Sequence, residues 1–189
     1  MKKPSLISYA ILPYPKGFLG LAAGEKGLSA LALRAEKSRL IAHLKSLLRG
    51  PEVSLREGES GRVTRADEIL KDAAAEVKAY FEGKPLSQNI PLDPLFGTPF
   101  QRAVWERTRG IPFGETVSYG ALAESMGSRS LARAVGGALS ANPIPLFVPC
   151  HRVLATDGSL GGFASGIELK RWLLELESRS ASSTPRTFT

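Results

Sequence analysis

Three prolines, Pro85, Pro91 and Pro94, punctuate residues 85–94. Proline lacks a backbone donor and fixes φ, so neither a helix nor a central strand runs through such a stretch. A chain of 189 residues broken near its middle in this way is expected to fold as two units. The boundary is placed near residue 92, giving an N-terminal domain over 1–92 and a second domain over 93–177.

The N-terminal half has short apolar stretches over 6–12, 18–23 and 28–33. Pro13-Tyr14-Pro15 and Gly24-Glu25-Lys26-Gly27 separate them, a pattern of strands joined by turns. Ser38 is positioned to cap a helix carrying Leu40, Ile41, Leu44, Leu47 and Leu48, stopped by Gly50-Pro51. A second helix is predicted over 65–82, where Ile69, Ala73, Val77, Tyr80 and Phe81 recur at helical spacing before Gly83. Strands followed by helices define a small α+β domain.

The second half reads as mainly helical. Thr98 followed by Pro99 is a helix start, with Phe100, Val104 and Trp105 close to one face. Ser118 caps a helix whose Tyr119, Leu122, Ala123 and Met126 align, and Gly127 closes it. A further helix is expected from about 131 to 140, burying Leu131, Ala134, Val135, Ala138 and Leu139. Two short helices around a glycine turn match a helix-turn-helix, giving a winged-helix-like domain, although many such pairs only pack. Arg133, Gly136, Gly137 and Ser140 line the opposite face of the second helix. Each glycine there costs about 1 kcal/mol relative to alanine. Either another helix packs on that bare face or a nucleic-acid backbone approaches it. One arginine beside small residues suits the narrow minor groove. Leu146-Phe147-Val148 is read as a short buried strand ending at Pro149. The last helix carries Leu169, Trp172, Leu173 and Leu176 and is expected to end with Glu177, leaving 178–189 as a disordered tail.

Composition narrows the function classes. The net charge is +7, with 15 basic and 10 acidic side chains in 1–92 but 8 of each in 93–177. That balance permits an anionic partner and fits plain solubility equally well. Met1-Lys2-Lys3 before an apolar stretch faintly resembles a signal peptide. Pro13, Lys16 and the lack of a cleavage motif argue against one. No apolar run reaches the roughly 20 residues of a membrane helix. A cytoplasmic protein with no membrane partner is expected. One cysteine excludes an internal disulfide, and with only two histidines, His43 and His151, a four-ligand structural zinc is rejected. No metal or other cofactor is expected.

Cys150 is the residue most suited to chemistry. It follows an apolar stretch and a proline and precedes His151. An ordinary thiol with a pKa of about 8.5 is a poor nucleophile at neutral pH and needs a base or a positive charge. Neighbours on a strand point to opposite faces, so a Cys150–His151 contact requires a turn or a bridging water. A lone cysteine is as readily buried filler, and His151 a structural imidazole. Glu177 borders the buried face of the last helix. A carboxylate at a helix C-terminus is mildly unfavourable, so it either orients an imidazole or is a solvated surface group. The residues by themselves reach a thiol nucleophile beside a helix pair, and no substrate.

Pro149-Cys150-His151-Arg152-Val153 resembles the reactive-site motif of the O6-alkylguanine-DNA alkyltransferases. The resemblance extends through 98–105, Gly114-Glu115-Thr116-Val117-Ser118-Tyr119, Ala132-Arg133-Ala134-Val135-Gly136-Gly137-Ala138, Asn142-Pro143, Gly161-Gly162-Phe163 and Lys170-Arg171-Trp172-Leu173-Leu174. It covers about 93–177 and is weaker before that. It implies single-turnover repair in which Cys150 accepts an alkyl group from O6-alkylguanine, and from O4-alkylthymine less certainly. His151 acts as base through a water, Glu177 orients His151, and Asn142 joins the network. Arg133 fills the space of the flipped guanine while its helix, with Gly136, Gly137 and Ser140, docks in the minor groove. Tyr119 assists flipping, and Val153, Phe163, Ala164 and Ser165 line the base pocket. Ala164 stands where some relatives carry a hydroxyl. The implied partner is double-stranded DNA carrying alkylated guanine, met by a monomer on the nucleoid. Rival readings are a lesion-binding protein without transfer, a helix-turn-helix transcription factor and a cysteine hydrolase.

Overall fold

The computed structural model describes residues 5–34, 36–48, 53–57, 63–94 and 96–183. The chain divides into two compact units, Met1–Phe81 with Leu86–Gly97, and Glu82–Pro85 with Thr98–Thr189.

The first unit is built on a four-stranded sheet. Strands β1 (Ser5–Tyr14), β2 (Gly17–Gly24) and β3 (Gly27–Arg34) form an antiparallel meander. Residues 13 and 14 belong to β1, so the first turn is Pro15-Lys16 rather than Pro13-Tyr14-Pro15. A fourth strand, β4 (Val53–Glu57), pairs parallel with β1 and was not foreseen, giving the order β3-β2-β1-β4. Its five residues include Ser54, Arg56 and Glu57, too polar and short to stand out from the sequence.

Helix α1 (Leu40–Leu48) packs on β2 and β3, and α2 (Arg65–Phe81) on β1, β2 and β3. Ile7, Ala22, Ala30 and Ala32 join Leu40, Leu44 and Leu48 of α1 in one core cluster. Leu19, Leu21, Leu31 and Leu33 alternate onto the other face and are equally buried. Burial on both faces explains why β2 and β3 read as unbroken apolar runs. Ser38 does not cap α1. It lies inside a 3-10 turn, Lys37–Arg39, whose N-cap Glu36 makes no side-chain cap bond. The expected stop at Gly50-Pro51 lies outside the described residues. The proline-bearing stretch is also held. Leu28 N donates to Pro91 O and Asp93 N to Leu28 O, both at 2.8 Å, which pins residues 91–93 to β3.

The second unit is mainly helical. Helix α3 (Pro99–Arg109) opens with a full capping box, Thr98 and Gln101 each bonding the other's backbone N–H. A two-residue strand, β5 (Val117–Ser118), leads into α4 (Tyr119–Glu124), and Ser118 caps that helix as expected. After a 3-10 turn, Arg129–Leu131, comes α5 (Ala132–Ser140). Trp105 Nε1 donates to Ala138 O at 2.8 Å and fastens α3 to α5. The buried face of α5 is Val135, Ala138 and Leu139, whereas Ala134 is exposed. Another two-residue strand, β6 (Val153–Leu154), pairs parallel with β5.

Two further expectations fail here. Residues 146–148 are not a strand. Leu146 has φ +72, and Pro145 and Val148 form a local bridge across a tight turn. Nor does the last helix end at Glu177: α6 runs Ile167–Ser183. No glycine or proline interrupts 178–183, and Ser180 Oγ bonds back to Leu176 O at 3.0 Å. Glu177 is thus a mid-helix residue. Residues 184–189 of the expected tail lie outside the described residues.

Candidate active site

The chain reaches Cys150 through a succession of tight turns. Val148 N bonds Ile144 O at 2.9 Å, and Cys150 N bonds Val148 O at 2.8 Å. Pro149 between them has φ −78 and ψ 63, an inverse γ-turn that proline's ring favours. Cys150–Arg152 is a 3-10 turn, which removes the strand geometry that would have sent Cys150 and His151 to opposite faces. Asn142 ties the loop together. Its Nδ2 donates to Val148 O at 2.8 Å and to Cys150 Sγ at 3.2 Å, while its Oδ1 accepts from Ile144 N at 3.0 Å.

Behind the thiol lies a buried charge cluster. Glu177 is 1% exposed, and four hydrogen bonds converge on its carboxylate. They come from His151 Nε2 at 2.8 Å, Arg152 Nε and Nη2 at 2.9 Å each, and Gly114 N at 3.0 Å. Arg152 Nη1 also donates to Ile111 O at 2.6 Å. Burial works to raise the Glu177 pKa, but His151 and Arg152 outweigh it and hold the carboxyl at about 2. An ionised carboxylate only accepts, so His151 carries its proton on Nε2 and presents Nδ1 as the basic nitrogen. Burial pushes His151 below its ordinary 6.5; Glu177 opposes this, and Arg152 and Lys170 add to it. The imidazole is therefore neutral at pH 7. Burial pushes the Cys150 thiol up, against the Asn142 hydrogen bond and the Lys170 charge. The resting pair is a thiol beside a neutral base.

Cys150 opens onto a pocket of about 650 Å³. Its wall brings together Tyr119, Arg133, Gly136, Ser140, Asn142, Phe163, Ala164 and Ser165 from the residues expected. Arg133, Gly137 and Ser140 are exposed on α5. A Cβ at Gly137 would meet nothing within 4 Å, and one at Gly136 would only touch Tyr119 at 3.8 Å. Among the described residues nothing in this unit covers Gly137. Val153 departs from expectation. It is fully buried in the core cluster and does not line the pocket, because β6 pairing with Val117 turns it inward. His151 and Glu177 likewise sit behind the wall.

Arg152 and Lys170 were missed as site residues. A signal existed for Lys170. Lys170, Leu173 and Glu177 fall at i, i+3 and i+7, and these three are the buried residues of the stretch 167–180. The leucines Leu169 and Leu176, with Trp172, are only half-buried. Two charged residues on the inward stripe of a helix mark a site more sharply than its leucines do.

This fold is that of a 6-O-methylguanine DNA methyltransferase, with a ribonuclease-like domain and a DNA-binding domain. The family model "6-O-methylguanine DNA methyltransferase, ribonuclease-like domain" matches residues 7–94, and "6-O-methylguanine DNA methyltransferase, DNA binding domain" matches 99–179. A methylated-DNA–protein-cysteine methyltransferase of Methanosarcina acetivorans is 37% identical over 169 residues, 89% of this chain and 97% of that protein. The relative from Mycobacterium tuberculosis is 48% identical over 116 residues, 61% of this chain and 70% of its own. The crystal structure of Mycobacterium tuberculosis OGT in complex with DNA superposes with a TM-score of 0.72 at 34% identity, covering 92% of this chain and 94% of that one. The chain belongs to the methylated-DNA–protein-cysteine methyltransferase family.

Proposed function

We propose that this protein repairs DNA by taking the alkyl group of O6-alkylguanine onto Cys150, once per chain. The observation that carries the reading is the arrangement at the thiol. Cys150 faces an open pocket with room for a base, Asn142 holds its sulfur, and the buried His151–Glu177 pair lies behind it.

In the reaction His151 Nδ1 withdraws the thiol proton through a water. The sulfur forms a bond to the alkyl carbon as the carbon–O6 bond breaks, and its electron pair passes to the purine. The proton lost from sulfur ends on the base, which leaves as guanine. Lengthening of the thiol bond leaves charge that Asn142 Nδ2 stabilises. The thioether is neutral and stable, so turnover stops there. The sheet unit serves as scaffold, the helical unit carries the reaction, and the protein works as a monomer without a cofactor.

The base must leave the duplex first, at a cost of a few kcal/mol. Helices α4 and α5 around Gly127 act as a helix-turn-helix, with the open Gly136–Gly137 face of α5 against the minor groove. Arg133, exposed at the pocket rim, takes the place of the extruded nucleotide. Tyr119, Phe163, Ala164 and Ser165 bound the flipped base. O4-alkylthymine offers the same alkyl–oxygen bond on a smaller ring and is a weaker substrate. Among the described residues no helix is long and apolar enough to cross a membrane. The protein acts on nucleoid DNA in the cytoplasm.

The single-turnover claim is tested by incubating excess duplex carrying one O6-methylguanine with the protein. Repair should stop at one lesion per chain. Repair continuing beyond that ratio contradicts the reading.

A further inference from the structure

Arg129 is held differently from its fellow arginines. Arg39, Arg65, Arg109 and Arg171 each pair with a glutamate three residues away, at 2.6–3.5 Å. At helical spacing from Arg129 stand Ser125, Met126, Ala132 and Arg133, so the charge nearest in sequence is another cation. Among the described residues no hydrogen bond or ion pair takes the Arg129 guanidinium. The side chain is nonetheless seated. Gly120, in the first turn of α4, is buried, and exposed Arg129 lies over it. A Cβ at Gly120 would stand 3.2 Å from Arg129 Nε, 3.5 Å from Nη2 and 3.6 Å from Cζ. A larger side chain at 120 would lift the guanidinium off. Glycine in a helix is unfavourable relative to alanine, and holding a long side chain in one place costs rotamer freedom. No polar contact in the described structure offsets either cost.

We propose that Arg129, seated on Gly120, binds one backbone phosphate of the duplex and so fixes where Arg133, four residues on, meets the base stack. The inference rests on the reading of α4 and α5 as the DNA-facing pair. A guanidinium presents its donors in a plane that matches phosphate oxygens. One already laid in its seat loses little freedom when the duplex arrives. Ser128 and Ser130 flank it. Their hydroxyls share a bond at 2.8 Å, which leaves one of the two protons to donate outward. Phosphate contacts set register and orientation and carry no base sequence. Arg133 stands exposed at the pocket rim, where such a register places it against the stack.

The test measures binding of an undamaged duplex at several salt concentrations, with thermal melting to establish that each variant is folded. Arg129→Gln should weaken binding about tenfold at low salt. The slope of log affinity against log salt should fall by about one. Gly120→Leu keeps every charge and fills the seat. It should weaken binding to a similar degree, and the double variant should bind no worse than Arg129→Gln alone. An unchanged salt slope in Arg129→Gln overturns the proposal. So does unweakened binding by folded Gly120→Leu, or losses that add in the double variant. Arg129 is exposed, so Arg129→Gln decides the matter even if Gly120→Leu does not fold. Unmodified protein that does not bind duplex would strike the repair reading and this inference with it. Binding by the unmodified protein with both variants unmoved strikes this inference alone.

Discussion

Both units bury an ionised carboxylate, and they do so to different ends. In the sheet unit Asp67 accepts from Arg56 Nη2 at 2.7 Å, Thr64 N at 2.9 Å and Thr64 Oγ1 at 2.8 Å. Burial opposes its ionisation, but Arg56, Thr64 and Ser8 together hold the carboxyl well below the carboxylate range. That network starts α2 with a capping-box arrangement and fastens it to β4. The donors it gathers, from Arg56 and Thr64, lead to no thiol. In the helical unit Glu177 binds its donors as firmly, but the chain of contacts runs on through His151 to the turn bearing Cys150 and its pocket. A buried ion pair in itself is therefore weak grounds for assigning function. What separates the two is whether the cluster leads to a reactive atom facing open space.

The comparison breaks most completely at the thiol. Cys150→Ser should abolish transfer while lesion-bearing duplex is still bound, read by lesion repair and by a gel-shift titration. Loss of binding would mean the thiol holds the DNA as well as the alkyl group.

Next come the two carboxylates. Glu177→Gln leaves Arg152 buried without its counterion and should destabilise the fold by about 3 kcal/mol. Transfer by the remaining folded protein should slow about a hundredfold, the scale of a lost general base. Asp67→Asn should destabilise comparably and leave transfer per folded chain unchanged. Denaturant unfolding and single-turnover kinetics on both variants decide. Equal slowing by both would erase the distinction drawn here.

Acid unfolding sharpens the same point. The Glu177 carboxyl is held at about 2 against an ordinary 4.5. A carboxyl depressed on folding stabilises the native state above its unfolded value, and that contribution is lost as pH falls from 4.5 towards 2. Glu177→Gln should flatten the stability curve across that window. Transfer should hold near neutral pH and decline on the acid side of 6.5 as His151 is protonated.

Smaller effects belong to the surface of α5. Arg133→Ala should slow transfer from duplex DNA about tenfold and spare free O6-alkylguanine, because only the duplex has a base to extrude. Equal slowing on both would place Arg133 in the chemistry instead. Last are two glycines of opposite setting. A Cβ at Gly20 would lie 2.7 Å from Leu44 Cδ1, so Gly20→Ala should cost about 1–3 kcal/mol with transfer intact. Gly137→Ala meets open space and should raise stability by about 1 kcal/mol while weakening duplex binding.

The two units were also unequally legible. Three strands and both helices of the sheet unit followed from apolar runs and helical periodicity, because burial there obeys simple alternation. Strand β4 did not, since its pairing with β1 is set by tertiary contact rather than by its own polar residues. In the helical unit the caps Thr98 and Ser118 and the pair of short helices were readable from local chemistry. The segment carrying Cys150 was misread. An apolar run such as Leu146-Phe147-Val148 looks like a strand, and only Asn142 and the turn at Pro149 make it coil. Glu177 was ambiguous because the expected helix end at 177 gave it a solvent-facing terminus. Arg152 was hidden for a different reason: its partners Ile111 and Glu177 lie 41 and 25 residues away. Periodicity reports which face is buried. It does not report which buried charges meet.

The central claim is that Cys150 takes the alkyl group covalently. Intact-protein mass spectrometry after incubation with duplex containing one O6-methylguanine tests it most directly. The account predicts a gain of about 14 Da, one methyl replacing the thiol hydrogen. The gain should map to the Cys150 peptide, never exceed one per chain and be absent from Cys150→Ser. Folded protein that binds the lesion with no gain in mass, or a methyl group found on any other residue, would contradict it.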